Sequence, residues 1–308
     1  MNAGADGVGQ DAVHDDLAWL DRDAYPFETA CLGLPAGAVH YVDDGPADGG
    51  RHTLLMLHGN PTWSFLYRHL IRELRREHRC VAPDLLGFGL SAKPADFSYR
   101  PADHAATVAE LVETLGLEDV VLVVQDWGGP IGLSYAIEHS DAVRGVVLLN
   151  SVPIWPVDDE AHFRRFSWLA GGPIGRRACV RYNAFVRLVV PLAFADRSRF
   201  TRLARDHYAL PLSDPADRTG TWVFPRELVG STDWLRTLWS RRDALAPLPA
   251  RILWGTEDPA FRAEELRTYE AVFDDPSVVR LRGVGHYVQE ELGPDLVPYV
   301  RQFLDDLA

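Results

Sequence analysis

Cysteine is scarce in this chain: Cys31, Cys80 and Cys179 are the only three in 308 residues. An odd, widely spaced set builds no disulfide framework and fits a reducing compartment, so a cytoplasmic location is expected. There is no Cys-x-x-Cys pair or Cys/His cluster, so no zinc site is expected. Positive charge is also short, with 31 Lys and Arg against 44 Asp and Glu, a formal net charge of −13. Phosphate binding needs clustered basic residues, which argues against nucleic acid or an anionic membrane as the main partner. No apolar run approaches the ~20 residues that span a bilayer. The stretch from Phe185 to Ala195 is short and interrupted by Arg187. A basic region followed by an apolar one, the mark of a secretory leader, is missing. Asp6, Asp11, Asp15 and Asp16 instead make residues 1–25 an acidic segment, expected to be mobile. Internal repeats and low-complexity tracts are absent too.

What the chain does have is 47% apolar and 24% charged residues, ordinary for a globular protein. Six short Val- and Leu-rich runs fall at 53–57, 80–82, 120–124, 145–149, 251–254 and 278–281. Continuous runs of this kind suit parallel strands covered on both faces. Amphipathic helices are expected at 68–77, 105–115, 131–138 and 297–307. The alternation predicts an α/β fold with a mostly parallel, doubly wound sheet. Segments near Cys31 and at Tyr41-Val42 would add antiparallel edge strands. Between about 155 and 224 the strand pattern stops, which implies a helical insertion into a core of residues 26–154 and 225–308.

The strongest motif is Val121-Leu122-Val123-Val124-Gln125-Asp126-Trp127-Gly128-Gly129-Pro130. A buried strand running into Asp-Trp-Gly-Gly and then a helix has the strand–turn–helix context of a nucleophile elbow, with Val124 where a serine elbow would have glycine. A carboxylate there is ionised at neutral pH and attacks saturated carbon without a base to deprotonate it. His286, in Gly283-Val284-Gly285-His286, and Asp258, just past the 251–254 run, complete the order nucleophile, acid, base. Taken singly, Asp126 also reads as a helix N-cap, Asp258 as a turn aspartate and His286 as a core or surface histidine. His58-Gly59-Asn60-Pro61 follows the first buried run. The amides of Asn60 and Trp127 would form an oxyanion hole, with His58 structural. The Asn60 amide and the Trp127 indole are N–H donors that suit a departing halide ion.

These stretches resemble the haloalkane dehalogenases of the α/β-hydrolase fold, from about residue 25 to the end. The resemblance rests on His58-Gly59-Asn60-Pro61-Thr62-Trp63-Ser64-Phe65-Leu66-Tyr67-Arg68, Pro83-Asp84-Leu85-Leu86-Gly87-Phe88-Gly89-Leu90-Ser91, Gln125-Asp126-Trp127-Gly128-Gly129 and Gly285-His286. The first and third are specific; the second is shared with related hydrolases. One subgroup places a glutamate acid after the fourth run, where this chain has Asn150-Ser151, so the acid falls to Asp258. Asn60 with Asp258 is most similar to the third subfamily. The resemblance implies that residues 155–224 form a cap over the site. It implies a small apolar halogenated substrate, water and a halide ion as partners, with no metal or organic cofactor, and it leaves homo-oligomerisation open. Cap residues Trp155, Phe163, Phe166, Trp168 and Phe185 are candidates to line the pocket.

Two rival readings share the Asp/His/Asp set. An epoxide hydrolase would want two cap tyrosines, and Tyr182 and Tyr208 are available; Asn60 disfavours it. A fluoroacetate-type dehalogenase would want basic residues such as Arg164, Arg165 or Arg181. A third reading is a ligand receptor that kept the fold without turnover.

Overall fold

The computed structural model describes residues 17–46 and 50–307 of the chain. The sheet opens with β1 (Thr29–Leu34) and β2 (Gly37–Asp44). It continues with β3 (Thr53–Leu57), β4 (Arg79–Pro83), β5 (Val120–Asp126), β6 (Val143–Ser151), β7 (Ala250–Gly255) and β8 (Ser277–Leu281). Their spatial order is β1-β2-β4-β3-β5-β6-β7-β8. Pairings from β4 through β3 to β8 are parallel, and β1–β2 and β2–β4 are antiparallel, so the expected edge strands are present.

The apolar runs read as continuous because alternate side chains enter two separate cores. Leu55, Leu57, Leu122, Val124, Leu148 and Ile252 face one side; Leu54, Met56, Val121, Val123, Val147 and Leu253 face the other. Helices α1 (Arg68–Leu74), α2 (Pro101–Thr114) and α3 (Gly128–Glu138) cover the strands. Between β6 and β7 come α4 (Ala161–Gly171), α5 (Pro173–Tyr182), a π-helical turn (Phe185–Val189) and the single turn α6 (Val190–Leu192). The same stretch holds α7 (Arg202–Ala209), α8 (Thr219–Gly230) and α9 (Thr232–Ser240). α10 (Ala263–Glu270), α11 (Val288–Leu292) and α12 (Val297–Asp306) complete the chain. Side chains of α2 and α3 pack into the first core, and those of α1 and α12 into the second.

Two sequence boundaries move. Residue 224 falls inside α8, and the helical insertion runs on through α9 before β7 begins at Ala250. Asp6, Asp11, Asp15 and Asp16 lie outside the described residues. From residue 17 on, the segment expected to be mobile is anchored. Leu20 and Tyr25 are buried, and the Tyr25 hydroxyl is 2.5 Å from Ser64 Oγ. A buried ion pair joins core helices α1 and α11, and a tyrosine of α7 in the insertion bonds to it. Arg68 donates to both carboxylate oxygens of Glu290 at 2.5 and 2.7 Å, and the Tyr208 hydroxyl donates to the same carboxylate.

Candidate active site

Asp126 sits where buried β5 ends, with a left-handed φ of +51° that turns the chain sharply into α3. Non-glycine residues are rare in this region and mark a conformation held by its surroundings. Two glycines make the turn possible. A Cβ on Gly128 would lie 2.0 Å from the Leu57 carbonyl oxygen, and one on Gly59 would lie 2.2 Å from Asp126 Oδ1. The β3 loop therefore passes directly over the carboxylate. Asn60 N donates to Asp126 Oδ1 at 2.7 Å, and the Trp127 amide also bonds the carboxylate. The Asn60 amide thus already holds Oδ1, and Oδ2 faces the histidine.

His286 follows β8 in a loop gripped from two sides. Its N–H donates to Ala193 O at 2.9 Å. Glu291 accepts from Gly285 N at 2.7 Å and from the amides of Ala195 and Asp196 at 3.1 Å each. His286 Nδ1 is 2.8 Å from Asp258 Oδ2, and Nε2 is 3.6 Å from Asp126 Oδ2. The structure therefore brings all three sequence-predicted residues into one relay. Asp258 is itself fixed by Ala260 N at 2.7 Å and Asn150 Nδ2 at 2.8 Å.

Burial pushes the Asp126 carboxyl up, while His286 and the amides of Asn60 and Trp127 pull it down. For His286, burial opposes the cation, but the charge and hydrogen bond of Asp258, and then the charge of Asp126, raise it above the ordinary imidazole range. Removing the Asp126 charge would remove one of those causes.

Asn60 is buried, and its Nδ2 donates to Thr221 O at 3.2 Å. The reason lies in α8. Pro225 stands four residues after Thr221 and has no N–H, so the helical bond that would occupy the Thr221 carbonyl is missing. The second N–H of the Asn60 amide remains for another acceptor. The Trp127 indole stacks on Phe224 with centroids 5.6 Å apart, and Phe224 in turn stacks on Phe88. Among the described residues no protein acceptor is bonded to the Trp127 indole N–H. His58 is structural: its Nε2 accepts from Leu85 N at 2.9 Å and its Nδ1 is 2.9 Å from Gly59 O.

The pocket candidates separate. Phe163 and Phe185 are buried. Phe163 packs on Phe261, whose ring centroid is 5.4 Å from that of His286. Phe166 meets Phe185 edge-on, and Trp155 packs on Trp239 and Tyr269. Trp168 is a correction. It is 67% exposed on the outer side of α4, because the helical stripe Phe163, Ser167 and Gly171 faces inward instead. The rival residues face elsewhere too. Tyr182 is exposed, the Tyr208 hydroxyl is bound to Glu290, and Arg164, Arg165 and Arg181 face solvent.

Sequence reasoning missed several neighbours. Gln125 Nε2 lies 2.9 Å from His286 Nε2. With Nδ1–H given to Asp258, Nε2 carries the lone pair, so Gln125 donates to it. Asn150 entered only as the position lacking an acid, yet it positions the acid that is present. Phe224, Phe261 and Thr221 carried no motif signal; only the proline inside an otherwise helical run hinted at the last. No metal was expected, but away from this relay Glu160, His162 and Glu265 place one ligand atom each within 4.8 Å of one another.

A family model described as the alpha/beta hydrolase fold matches residues 52–291. Haloalkane dehalogenase 2 of Mycobacterium tuberculosis (strain ATCC 25618 / H37Rv) is 38% identical over 279 residues, 90% of this chain and 94% of that protein. A cis-3-alkyl-4-alkyloxetan-2-one decarboxylase of Xanthomonas campestris pv. campestris is 29% identical over 304 residues, 91% of this chain and 97% of that protein. Among solved structures, haloalkane dehalogenase DatA from Agrobacterium tumefaciens C58 superposes with a TM-score of 0.79 at 25% identity, covering 91% of this chain and 97% of that one.

Proposed function

The chain belongs to the haloalkane dehalogenases of the α/β-hydrolase fold, hydrolases acting on carbon–halide bonds, and we propose that it cleaves them through a covalent ester on Asp126. Oδ2 attacks the halogen-bearing carbon in line and the carbon–halogen bond breaks. The electron pair leaves with halide, which the free Asn60 N–H and the Trp127 indole N–H receive. His286, oriented by Asp258, then takes a proton from water. The hydroxide adds to the ester carbonyl, whose oxygen is Oδ1, between the amides of Asn60 and Trp127. Collapse releases the alcohol and returns Asp126 to its carboxylate; the proton leaves from His286. The net reaction is R–X + H2O → R–OH + H+ + X−. The helical insertion serves as the cap, closing over the carboxylate with α8.

The observation that carries this reading is the division of labour between the two oxygens of Asp126. Oδ1 is bound by the Asn60 amide and Oδ2 faces the imidazole. The test is halide release from a panel of bromo- and iodoalkanes, with Asp126→Ala as control and intact mass of His286→Phe to trap the alkyl ester. Halide from the wild type, none from Asp126→Ala and a mass gain equal to the alkyl group are expected. Absence of any adduct would sink covalent catalysis by Asp126. The relative named as an oxetan-2-one decarboxylase, similar over nearly the full length, adds a cis-disubstituted oxetan-2-one to the panel. Carbon dioxide release without halide release would move the substrate to that four-membered lactone.

A further inference from the structure

Every exposed large apolar side chain among the described residues lies between 168 and 210, with Ile174 78%, Trp168 67% and Leu188 63% exposed. Charge is uneven over the same region. From 161 to 195 the chain has six arginines and neither Asp nor Glu, in a protein with 44 Asp and Glu. Arg164, Arg165, Arg176, Arg177, Arg181 and Arg187 are all exposed. Among the described residues none of them is paired with a carboxylate. Their partners are the Asp158 carbonyl, the Tyr182 hydroxyl and the Trp222 ring. Arginine and apolar tips share helical faces: Arg164, Arg165 and Trp168 on α4, and Ile174, Arg177 and Arg181 on α5. The elements are joined. One glycine separates α4 from α5, and Phe166 meets Phe185 between α4 and the π-turn.

We propose that this outer face of α4, α5 and the π-turn docks on an anionic membrane surface. Protruding Trp, Ile and Leu set among arginines, without acids, form the composition of a helix face that lies in a lipid headgroup layer. No helix of the described residues is long and apolar enough to cross a membrane, so the contact is peripheral. The charge selects the partner. A second copy docked through the same patch would bring two unpaired arginine sets together, because a two-fold interface is self-complementary. Anionic headgroups neutralise them instead. The formal charge of −13, which argued against an anionic membrane, is an average that conceals this face. If the haloalkane reading holds, the surface also carries the enzyme to the phase where an apolar substrate concentrates.

Sedimentation of the full chain with phosphatidylcholine vesicles, with and without phosphatidylglycerol, tests the proposal. Binding is expected only with phosphatidylglycerol and should weaken as salt rises. Arg177→Glu with Arg187→Glu should lower the partition coefficient by at least about 5-fold per position. Ile174→Glu with Leu188→Glu should remove binding while leaving the thermal midpoint unchanged. No sedimentation of the wild type, or unchanged sedimentation of both double variants, overturns the proposal. Concentration-dependent dimerisation abolished by these variants, without vesicle binding, also overturns it and gives the face to a second copy. Vesicle binding by a protein that releases no halide would sink the haloalkane reading alone.

Discussion

Asp258→Asn tests the relay at its most constrained atom. The Asp258 side chain is fully buried, and its two oxygens have three N–H groups pointed at them. An amide cannot satisfy all three. With its oxygen toward His286 and Asn150, its NH2 group opposes the Ala260 amide; turned round, it opposes Asn150 and the Nδ1–H of His286. Either way the charge-assisted bond to the imidazolium is lost. Such bonds are worth about 1.5–3 kcal/mol, and ~1.4 kcal/mol is tenfold in rate. Ester hydrolysis should therefore slow about 10- to 150-fold, and more if the ring adopts the other tautomer. Alkylation of Asp126 uses no base and should be nearly unaffected. Rapid-quench halide measurements read both steps. The variant should show a burst of about one halide per site followed by a slow steady state. Its acid limb should also move to lower pH, because Asp258 is the chief group that raises His286. A steady-state rate within threefold of wild type, or equal loss of burst and steady state, would refute the assignment.

His286 must be neutral to accept a proton, and Asp258 is the chief group that raises it, so the wild-type hydrolytic rate should fall at acid pH, on a limb that lies higher than that of Asp258→Asn. Gln125→Leu removes a donor that bonds only the neutral ring; the acid limb of kcat should move to higher pH, and a shift downward would count against the bond. Arg68→Ala leaves the buried Glu290 carboxylate without its cation, which should cost about 3–5 kcal/mol of stability by urea unfolding; a loss below about 1 kcal/mol would show the pair to be dispensable. Pro225→Ala restores a helical N–H that competes for Thr221 O with Asn60. Halide quenching of Trp127 fluorescence should then weaken severalfold with little change in thermal midpoint, and unchanged halide affinity would remove Thr221 from the site.

What was legible in the sequence follows from where single residues carry the signal. β3, β5, β6 and β7 each hold a short, almost wholly apolar run because both faces are covered, and each could be read from that run. Asp126, His286 and Asp258 stand at strand ends, where the chain order of the fold is itself a pattern. Trp168 misled because an aromatic inside a helical insertion carries no sign of which side it faces; only the inward stripe of Phe163, Ser167 and Gly171 decides it. The boundary at 224 fell short because helices α8 and α9 carry the insertion on to Ser240, and no strand pattern marks its end until β7. Gln125 and Asn150 were in plain view within motifs. Their roles depend on atoms 161 and 108 residues away, which no local pattern encodes. The same holds for charge. The arginines of 161–195 could be counted from the sequence, but their meaning needed the fold. Packing turns Phe163, Cys179 and Phe185 inward, and the guanidinium groups and apolar tips are left on the opposite side.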